Sequence, residues 1–223
     1  MFNNKTACSG FIFGVNIASQ YLKTGYCKHI LVVGAEIMSR TLNWKDRKTC
    51  ILWGDGAGAA ILALGEGGHE VLSTHIHTDG QNGQDLLLPG GGSKTTPISH
   101  ESVDKGLHFL NMIEANISFR VAVRHFVDSI KEAAAFNNVT VEDINWFIPH
   151  QANLRMFQSM AKSLKISMDK FYVTLNKYGN ISSASCVIAF DEAVRSGSIE
   201  EGDLVCMPVF GGGLTWGSAL IRW

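Results

Sequence analysis

Three polar residues stand where predicted elements of secondary structure begin or end, and their types suggest covalent catalysis by a thiol. Cys8 lies just before the apolar stretch 9–24, His150 follows Pro149 after the apolar run NWFI, and Asn180 precedes a serine-rich helix start. A cysteine at the start of a helix can act as a nucleophile. Each residue also has a structural interpretation, because free cysteines are often buried and asparagine commonly caps helices. Their joint placement at element ends favours the catalytic interpretation.

Cysteine, histidine and asparagine in this order also occur in papain-like proteases, and the separation of Cys8 and His150 fits that class. The sequence around the cysteine does not fit, because it reads ACSGF where the protease signature requires C-G-[SA]-C-[WY]. The chain also lacks the paired cysteines of a secreted hydrolase. We therefore reject a protease of this class.

Two further patterns resemble ligand-binding motifs without completing them. The stretch GDGAGA at 54–59 would need a preceding strand and a following helix to bind a dinucleotide, and it has no Walker lysine. Because the strand AILAL follows it, we predict a tight, close-packed structural turn. His75 and His77 alternate with Asp79 along a predicted strand, but no third ligand stands at a convincing position. We predict no metal site there.

The composition is that of a globular chain with no global electrostatic reason to bind nucleic acid or a membrane surface. The 223 residues are 46% hydrophobic and 17% charged, with a formal net charge of -1. The five cysteines form no CxxC pair, and their odd number fits reduced thiols in a cytoplasm. No signal peptide precedes Cys8, and no apolar run is long enough to span a membrane. We expect a soluble, cytoplasmic protein.

Apolar runs and glycines predict alternating helices and strands, as in an α/β fold. The predicted helices are 9–24, 114–136, a short helix near Val141, a helix after His150, and a helix opened by Gly179 and Asn180 and closed by Gly197. The continuous apolar run HILVVGAE at 29–36 predicts a central parallel strand. DLVCMPVFGGG predicts a buried strand that ends in glycines, and TWGSALIRW predicts the last strand.

The order of these elements repeats within the chain. Cys8, a helix, a strand and WGDGAGAAILAL are matched by Asn180, a helix, a strand and WGSALIRW. We interpret this as an internal duplication of an α/β unit. The duplication predicts that Cys8 and Asn180 occupy matching helix N-termini in two halves related by a pseudo-twofold axis. Two helix N-termini converging on one point would favour negative charge there.

Five ordered motifs, ACSGF, GDGAGAA, PHQANLR, YGNISSAS and FGGGLTWGSALIRW, resemble β-ketoacyl-acyl-carrier-protein synthase III, of the thiolase superfamily. The resemblance implies a thiolase-like αβαβα layered α/β fold with two pseudo-symmetric halves, and a homodimer. Residues 1–66 would be the remainder of the N-terminal half, which carries the nucleophile. Residues 67–223 would be the C-terminal half, which carries the histidine and the asparagine. The first half is expected to be incomplete, because the long segment that the family has before the cysteine is absent from this sequence.

The family joins an acyl-CoA primer to malonyl-acyl carrier protein with loss of carbon dioxide, giving the 3-oxoacyl-acyl carrier protein that initiates fatty-acid synthesis. The resemblance implies that Cys8 accepts the acyl group and that His150 and Asn180 hold the enolate. The N–H groups of Cys8 and Gly212 would form the oxyanion hole. The helix N-terminus is expected to lower the pKa of Cys8 below its ordinary value. The only cofactor-like group implied is the coenzyme A thioester substrate, and no metal is expected.

The resemblance also implies roles for residues outside the catalytic centre. Arg47 and Asn153 would contact coenzyme A, whereas Arg155 and Lys162 would dock the acidic carrier protein from one face of a helix. A solvated charged face is the alternative interpretation for Arg155 and Lys162. A second hypothesis for the whole chain stays open, because family positions are missing: a non-catalytic truncated fragment or interaction module derived from such a synthase.

Overall fold

Helices and strands alternate along the parts of the chain that the computed structural model describes, which are residues 1–65, 68–83, 86–91, 96–112 and 115–223. The helices are α1 (Gly10–Lys23), α2 (His100–Asp104), α3 (Ala115–Phe136), α4 (Leu154–Leu164), α5 (Leu175–Tyr178) and α6 (Ala184–Arg195). The strands are β1 (His29–Ile37), β2 (Asp55–Ala63), β3 (Glu70–Thr78), β4 (Leu86–Leu87), β5 (Asn111–Met112), β6 (Trp146–Phe147), β7 (Leu204–Gly211) and β8 (Thr215–Arg222). The predicted α/β class is confirmed.

The first sheet is an antiparallel hairpin of β1 and β2, in which His29 pairs with Ala63 and Ile37 pairs with Asp55. The prediction of a central parallel strand at 29–36 is therefore wrong about the pairing direction of β1. The apolar run predicts apolar side chains on both faces of the strand, but it does not specify the direction of the neighbouring strand. One face of β1 packs into the core through Val32, whereas Leu31 on the other face is 62% exposed.

The second sheet has the strand order β3-β8-β7-β6, with β6 parallel to β7 and the other neighbours antiparallel. The strand β7 is buried along nearly its whole length, as predicted from its sequence. The prediction of a short helix near Val141 is wrong, because this segment is a turn. The Asp143 carboxylate accepts hydrogen bonds from the backbone N–H and the hydroxyl of Thr140, which closes the chain into that turn.

Two hydrophobic clusters stack the elements into layers. Side chains of α1 and α6 contact both the β1–β2 hairpin and the four-stranded sheet, so these helices form a middle layer. Side chains of α3 and α4 cover the opposite face of the four-stranded sheet. The described chain thus builds the layers β, α, β and α, which are four of the five layers of the expected αβαβα fold. The predicted division at residue 66 separates the hairpin from the sheet that begins with β3, although residue 66 lies outside the described residues.

The glycine-rich stretch at 54–59 belongs to a strand, not to the turn that we predicted. Gly56 and Gly58 lie within β2, whose surface faces α6. A Cβ atom built on Gly58 would lie 2.6 Å from Cγ1 of Val187 on α6, which is too close for any side chain. The prediction of close packing was correct, because these glycines let α6 lie directly on β2.

Candidate active site

Cys8 is held in a short 3-10 helix, Ala7–Ser9, that leads into α1. Its side chain is only 5% exposed. The end of β7 presses against its backbone, because a Cβ atom built on Gly211 would lie 2.8 Å from the Cys8 nitrogen. The hydroxyl of Ser9 donates a hydrogen bond to the Thr215 carbonyl at 3.1 Å, which fixes this helix start to β8.

His150 is fixed in the connection between β6 and α4. Its backbone N–H donates to the Pro208 carbonyl on β7 at 3.0 Å, and its side chain is 2% exposed. The neighbouring Gln151 is buried and accepts a hydrogen bond from the backbone N–H of Thr174 at 2.9 Å. The imidazole is therefore presented by a rigid, hydrogen-bonded turn at the end of a buried strand, where open α/β sheets place functional groups.

Asn180 pairs through its backbone with the segment just before β2 and shapes the turn before α6 through its side chain. Its N–H donates to the Leu52 carbonyl, and its carbonyl accepts from the N–H of Gly54. Its Oδ1 accepts a hydrogen bond from the N–H of Ser182 at 2.8 Å, which leaves the Nδ2 amide group free of that bond and able to donate elsewhere. The prediction that Asn180 opens the helix is wrong, because α6 begins at Ala184.

Ser182 is the residue common to the surroundings of Cys8, His150 and Asn180. Its side chain affects the pKa of the Cys8 thiol, its backbone affects the pKa of the His150 imidazole, and its N–H donates a hydrogen bond to Oδ1 of Asn180. Ser182 is buried and has a φ of +46°, a left-handed conformation that is uncommon for a residue with a side chain. Sequence reasoning missed Ser182, because nothing in the motif YGNISSAS distinguishes it from its serine neighbours.

Burial determines the protonation of the two titratable groups at this site. Burial raises the pKa of the Cys8 thiol from 9.0 to about 11, with the Ser182 side chain opposing the shift and the charge of Glu36 adding to it. The expectation of a lowered Cys8 pKa is therefore wrong for this chain. Burial lowers the pKa of His150 to about 4, against a smaller opposing effect of the Ser182 backbone. Both side chains are neutral at pH 7.

The pseudo-symmetry places a different residue opposite Cys8 from the one that we predicted. In both halves a helix is followed by an antiparallel pair of strands, α1 by β1–β2 and α6 by β7–β8. The same backbone feature marks both helix starts, because Ala7 and Ser182 each have a φ of +46°. Cys8 precedes α1 by two residues and Asn180 precedes α6 by four, so the position that matches Cys8 lies at Ser182 or Ser183 and not at Asn180.

The structure places Gly212 in the turn between β7 and β8, next to the Gly211 backbone that contacts Cys8. The Gly212 carbonyl accepts a hydrogen bond from the hydroxyl of Thr215 at 3.4 Å. This position is compatible with an oxyanion-hole N–H close to the thiol, and the role stays a prediction.

Three of the four residues predicted to bind larger partners are exposed, and Asn153 is partly buried. Arg47 is exposed in the connection between β1 and β2, and Asn153 is the N-cap of α4, where its Oδ1 accepts from the Arg155 N–H at 2.9 Å. Arg155 and Lys162 are both exposed on α4. The predicted roles of these four residues remain predictions.

His75 and His77 lie on one face of β3, as predicted, and both approach Glu132 of α3. His77 Nε2 lies 2.7 Å from Glu132 Oε2, and His75 Nδ1 lies 3.6 Å from Glu132 Oε1. Within the described ranges, no three histidine, cysteine, aspartate or glutamate side chains are arranged to hold a metal ion. Among the helices that the structure describes, none combines the length and the apolar character needed to cross a membrane.

Comparisons with known proteins match this geometry. Two family descriptions match the chain: 3-oxoacyl-[acyl-carrier-protein] synthase III over residues 2–80, and the C-terminal part of the same enzyme over residues 134–223. The β-ketoacyl-[acyl-carrier-protein] synthases III of Caldanaerobacter subterraneus and Clostridioides difficile are 46% and 45% identical, each over 100% of this chain. The chain covers 66% and 67% of those relatives, so it spans about two thirds of their length.

Comparison with a solved structure indicates the same family from the fold. The 3-oxoacyl-[acyl-carrier-protein] synthase III of Aquifex aeolicus matches 97% of this chain and 65% of its own, with a TM-score of 0.87 and 36% identity. The layered architecture described above is therefore a thiolase-like fold. The chain belongs to the 3-oxoacyl-[acyl-carrier-protein] synthase III family, also called the β-ketoacyl synthase III family.

Proposed function

We propose that this chain is the catalytic portion of a condensing enzyme that joins an acyl-CoA primer to malonyl-acyl carrier protein. Carbon dioxide is released, and the product is the 3-oxoacyl-acyl carrier protein that initiates fatty-acid synthesis. The observation that carries the proposal is that Cys8, His150 and Asn180 are all buried and share Ser182 as a neighbour. The alternative, a non-catalytic interaction module, gives no reason to bury these three polar residues around one serine.

In the first half-reaction the sulfur of Cys8 attacks the carbonyl carbon of acyl-CoA. The new C–S bond replaces the bond to coenzyme A, which leaves as a thiol and takes up the proton that Cys8 gives up. Because burial raises the Cys8 pKa, the thiol is protonated before substrate binds. We propose that the N–H groups of Cys8 and Gly212 bind the oxyanion that forms on the acyl carbonyl.

In the second half-reaction the malonyl thioester loses carbon dioxide, and its electron pair forms an enolate. The enolate carbon attacks the acyl-cysteine, a C–C bond forms, and the Cys8 sulfur leaves and recovers a proton. The imidazole of His150 is neutral at pH 7, so one ring nitrogen carries a donor N–H without adding positive charge. We propose that this N–H and the Nδ2 group of Asn180 hold the enolate oxygen.

A basic surface beside α4 supports the proposed docking of an acidic carrier protein. Arg155 and Lys162 are exposed on α4. A shallow groove between α3 and α4 is lined by three basic residues and one acidic residue, so net positive charge extends along α3: Arg120, Arg124, Lys131 and Asp128. Complementary charge of this kind increases the rate of encounter and orients the partner. We likewise propose that Arg47 and Asn153 contact coenzyme A.

Four further statements belong to this proposal. The enzyme acts as a homodimer, it works in the cytoplasm, it has no nucleic-acid or membrane partner, and it needs no cofactor beyond its thioester substrates. They rest on family membership and on the composition, which has a net charge of -1 and no CxxC pair.

The test is acyl transfer and condensation in a chimera that joins this chain to the N-terminal segment of the Clostridioides difficile relative. With acetyl-CoA, we expect one acetyl group on the peptide that contains Cys8, and with malonyl-carrier protein we expect its conversion to the 3-oxoacyl product. Cys8→Ser abolishes both reactions, whereas the matched control Cys27→Ser retains them. A folded chimera that never acetylates Cys8 contradicts the proposed function.

A further inference from the structure

A carboxylate from the first sheet holds the segment that carries the catalytic asparagine. Glu36, near the end of β1, is partly buried, and its Oε1 accepts two hydrogen bonds from Ser183. The Ser183 hydroxyl donates at 2.6 Å and the Ser183 backbone N–H donates at 3.3 Å. Ser183 directly follows Ser182, so this contact ties the first sheet to the centre of the candidate active site.

Two glycines allow Ser183 to lie this close to the first half of the chain. A Cβ atom built on Gly34 of β1 would lie 3.1 Å from the Ser183 carbonyl oxygen. A Cβ atom built on Gly10 of α1 would lie 3.2 Å from Cβ of Ser183. Ser183 is therefore wedged between β1 and α1, with Glu36 bonded to it.

The turn before α6 needs such support. Ser182 has a φ of +46°, and strained backbone persists only where the surrounding structure enforces it. Within the turn, Ser182 is bound on one side by Oδ1 of Asn180. On the other side, Ser183 is held by Glu36. A negative charge at the N-terminus of α6, which has 12 residues, is also favourable to the helix dipole.

We propose that Glu36 is a positioning residue that, through Ser183, holds Asn180 and Ser182 in the arrangement facing Cys8 and His150. It touches neither substrate nor reacting atoms. Its importance for catalysis rests on the proposed condensation, whereas its effect on the turn does not. The charge has a cost, because it adds to the raised pKa of Cys8.

The first test measures amide hydrogen exchange in this chain by mass spectrometry. In Glu36→Ala, we expect exchange in the segment 180–185 to be about tenfold faster or more, since two hydrogen bonds to a charged acceptor are lost. Glu36→Gln keeps an acceptor oxygen and should remain close to the parent. The control Glu192→Gln alters a carboxylate on α6 that accepts from Lys177 and the Tyr178 hydroxyl and makes no bond to Ser183, and it should leave exchange at 180–185 unchanged.

The segment 204–211 of β7 serves as an internal reference for global unfolding. If exchange at 204–211 also rises in Glu36→Ala, the proposal is tested with Ser183→Ala instead, because this variant removes only the hydroxyl donor. We then expect faster exchange at 180–185 with an unchanged reference. Exchange at 180–185 within about twofold of the parent, in whichever variant stays folded, overturns the proposal.

The second test compares the two half-reactions in the chimera described above, with acetyl-CoA and malonyl-CoA as probes. A displaced turn misplaces the enolate donors, so Glu36→Ala should slow malonyl-CoA decarboxylation about tenfold or more relative to Cys8 acetylation. Glu36→Gln should restore the ratio, which a general loss of folding would not do. Equal effects on both half-reactions overturn the proposed role. If the parent chimera performs neither half-reaction, the proposed function fails, and hydrogen exchange still decides the role of Glu36.

Discussion

The pKa of Cys8 gives the sharpest test of the site, because the structure raises this pKa whereas the position of Cys8 at a helix start suggests a lowered one. Burial raises its pKa to about 11, although the thiol precedes α1. Alkylation requires the thiolate. We therefore expect alkylation of Cys8 in this chain to increase tenfold for each pH unit up to at least pH 9.5, without a plateau.

The size of the effect follows from the pKa. At pH 8, three units below a pKa of about 11, about one thiol in a thousand is ionised, whereas about one in ten is ionised at a pKa of 9.0. An activated thiolate with a pKa below 7 would be almost fully ionised at that pH, and its alkylation rate would be independent of pH. The slope of rate against pH thus separates the two cases, whatever the access of the reagent to the buried sulfur.

The assay is brief treatment with iodoacetamide between pH 7 and 9.5, followed by peptide mapping. The partly exposed Cys27 reports reagent activity in the same sample, and Cys8→Ser identifies the relevant peptide. A rate for Cys8 that levels off below pH 8.5 would refute the reasoning, because it would mean that the helix start outweighs burial.

Four further predictions concern catalysis, docking and packing. In the chimera, His150→Ala or Asn180→Ala should slow malonyl decarboxylation about a hundredfold or more, with a smaller effect on Cys8 acylation, because each removes one donor to the enolate. Arg155→Glu should weaken use of malonyl-carrier protein at low salt and leave acyl transfer from CoA nearly unchanged. Gly58→Ala should lower the free energy of unfolding by about 1–3 kcal/mol in urea titrations, because its Cβ would meet Val187. The chain alone should bind a hydrophobic dye through the exposed face of β1 and β2 and should not catalyse condensation, and Leu31→Lys should reduce the dye binding.

Each of these predictions has a control and a contradicting result. Loss of acylation with intact decarboxylation would reverse the assigned roles of the histidine and asparagine. Lys23→Glu, at the end of α1, controls for charge alone, and equal salt-dependent effects in both variants would count against docking at α4. Gly80→Ala is the packing control, because its Cβ meets no described atom within 4 Å. Dye binding that is unaffected by Leu31→Lys would contradict binding through the exposed face of β1 and β2. Condensation by the chain alone would contradict the predicted loss of activity.

Local patterns in the sequence determined the elements of this protein and the residue types at its centre. The apolar stretches specified α1, α3 and the buried strand β7, since periodicity and continuous burial are properties of neighbouring residues. The ends of those elements pointed to Cys8, His150 and Asn180. The motifs around these three residues were enough to identify the family, because its chemistry requires particular residue types in a fixed order.

Only the tertiary structure decided how these parts act on one another. The antiparallel pairing of β1, the hydrogen bond from Ser182 to Asn180 and the contact of Glu36 with Ser183 join residues that local patterns do not connect. The raised pKa of Cys8 has the same origin, because burial depends on every element that packs around the thiol. A helix start is visible in the sequence, but the exclusion of water from that helix start is a property of the assembled layers.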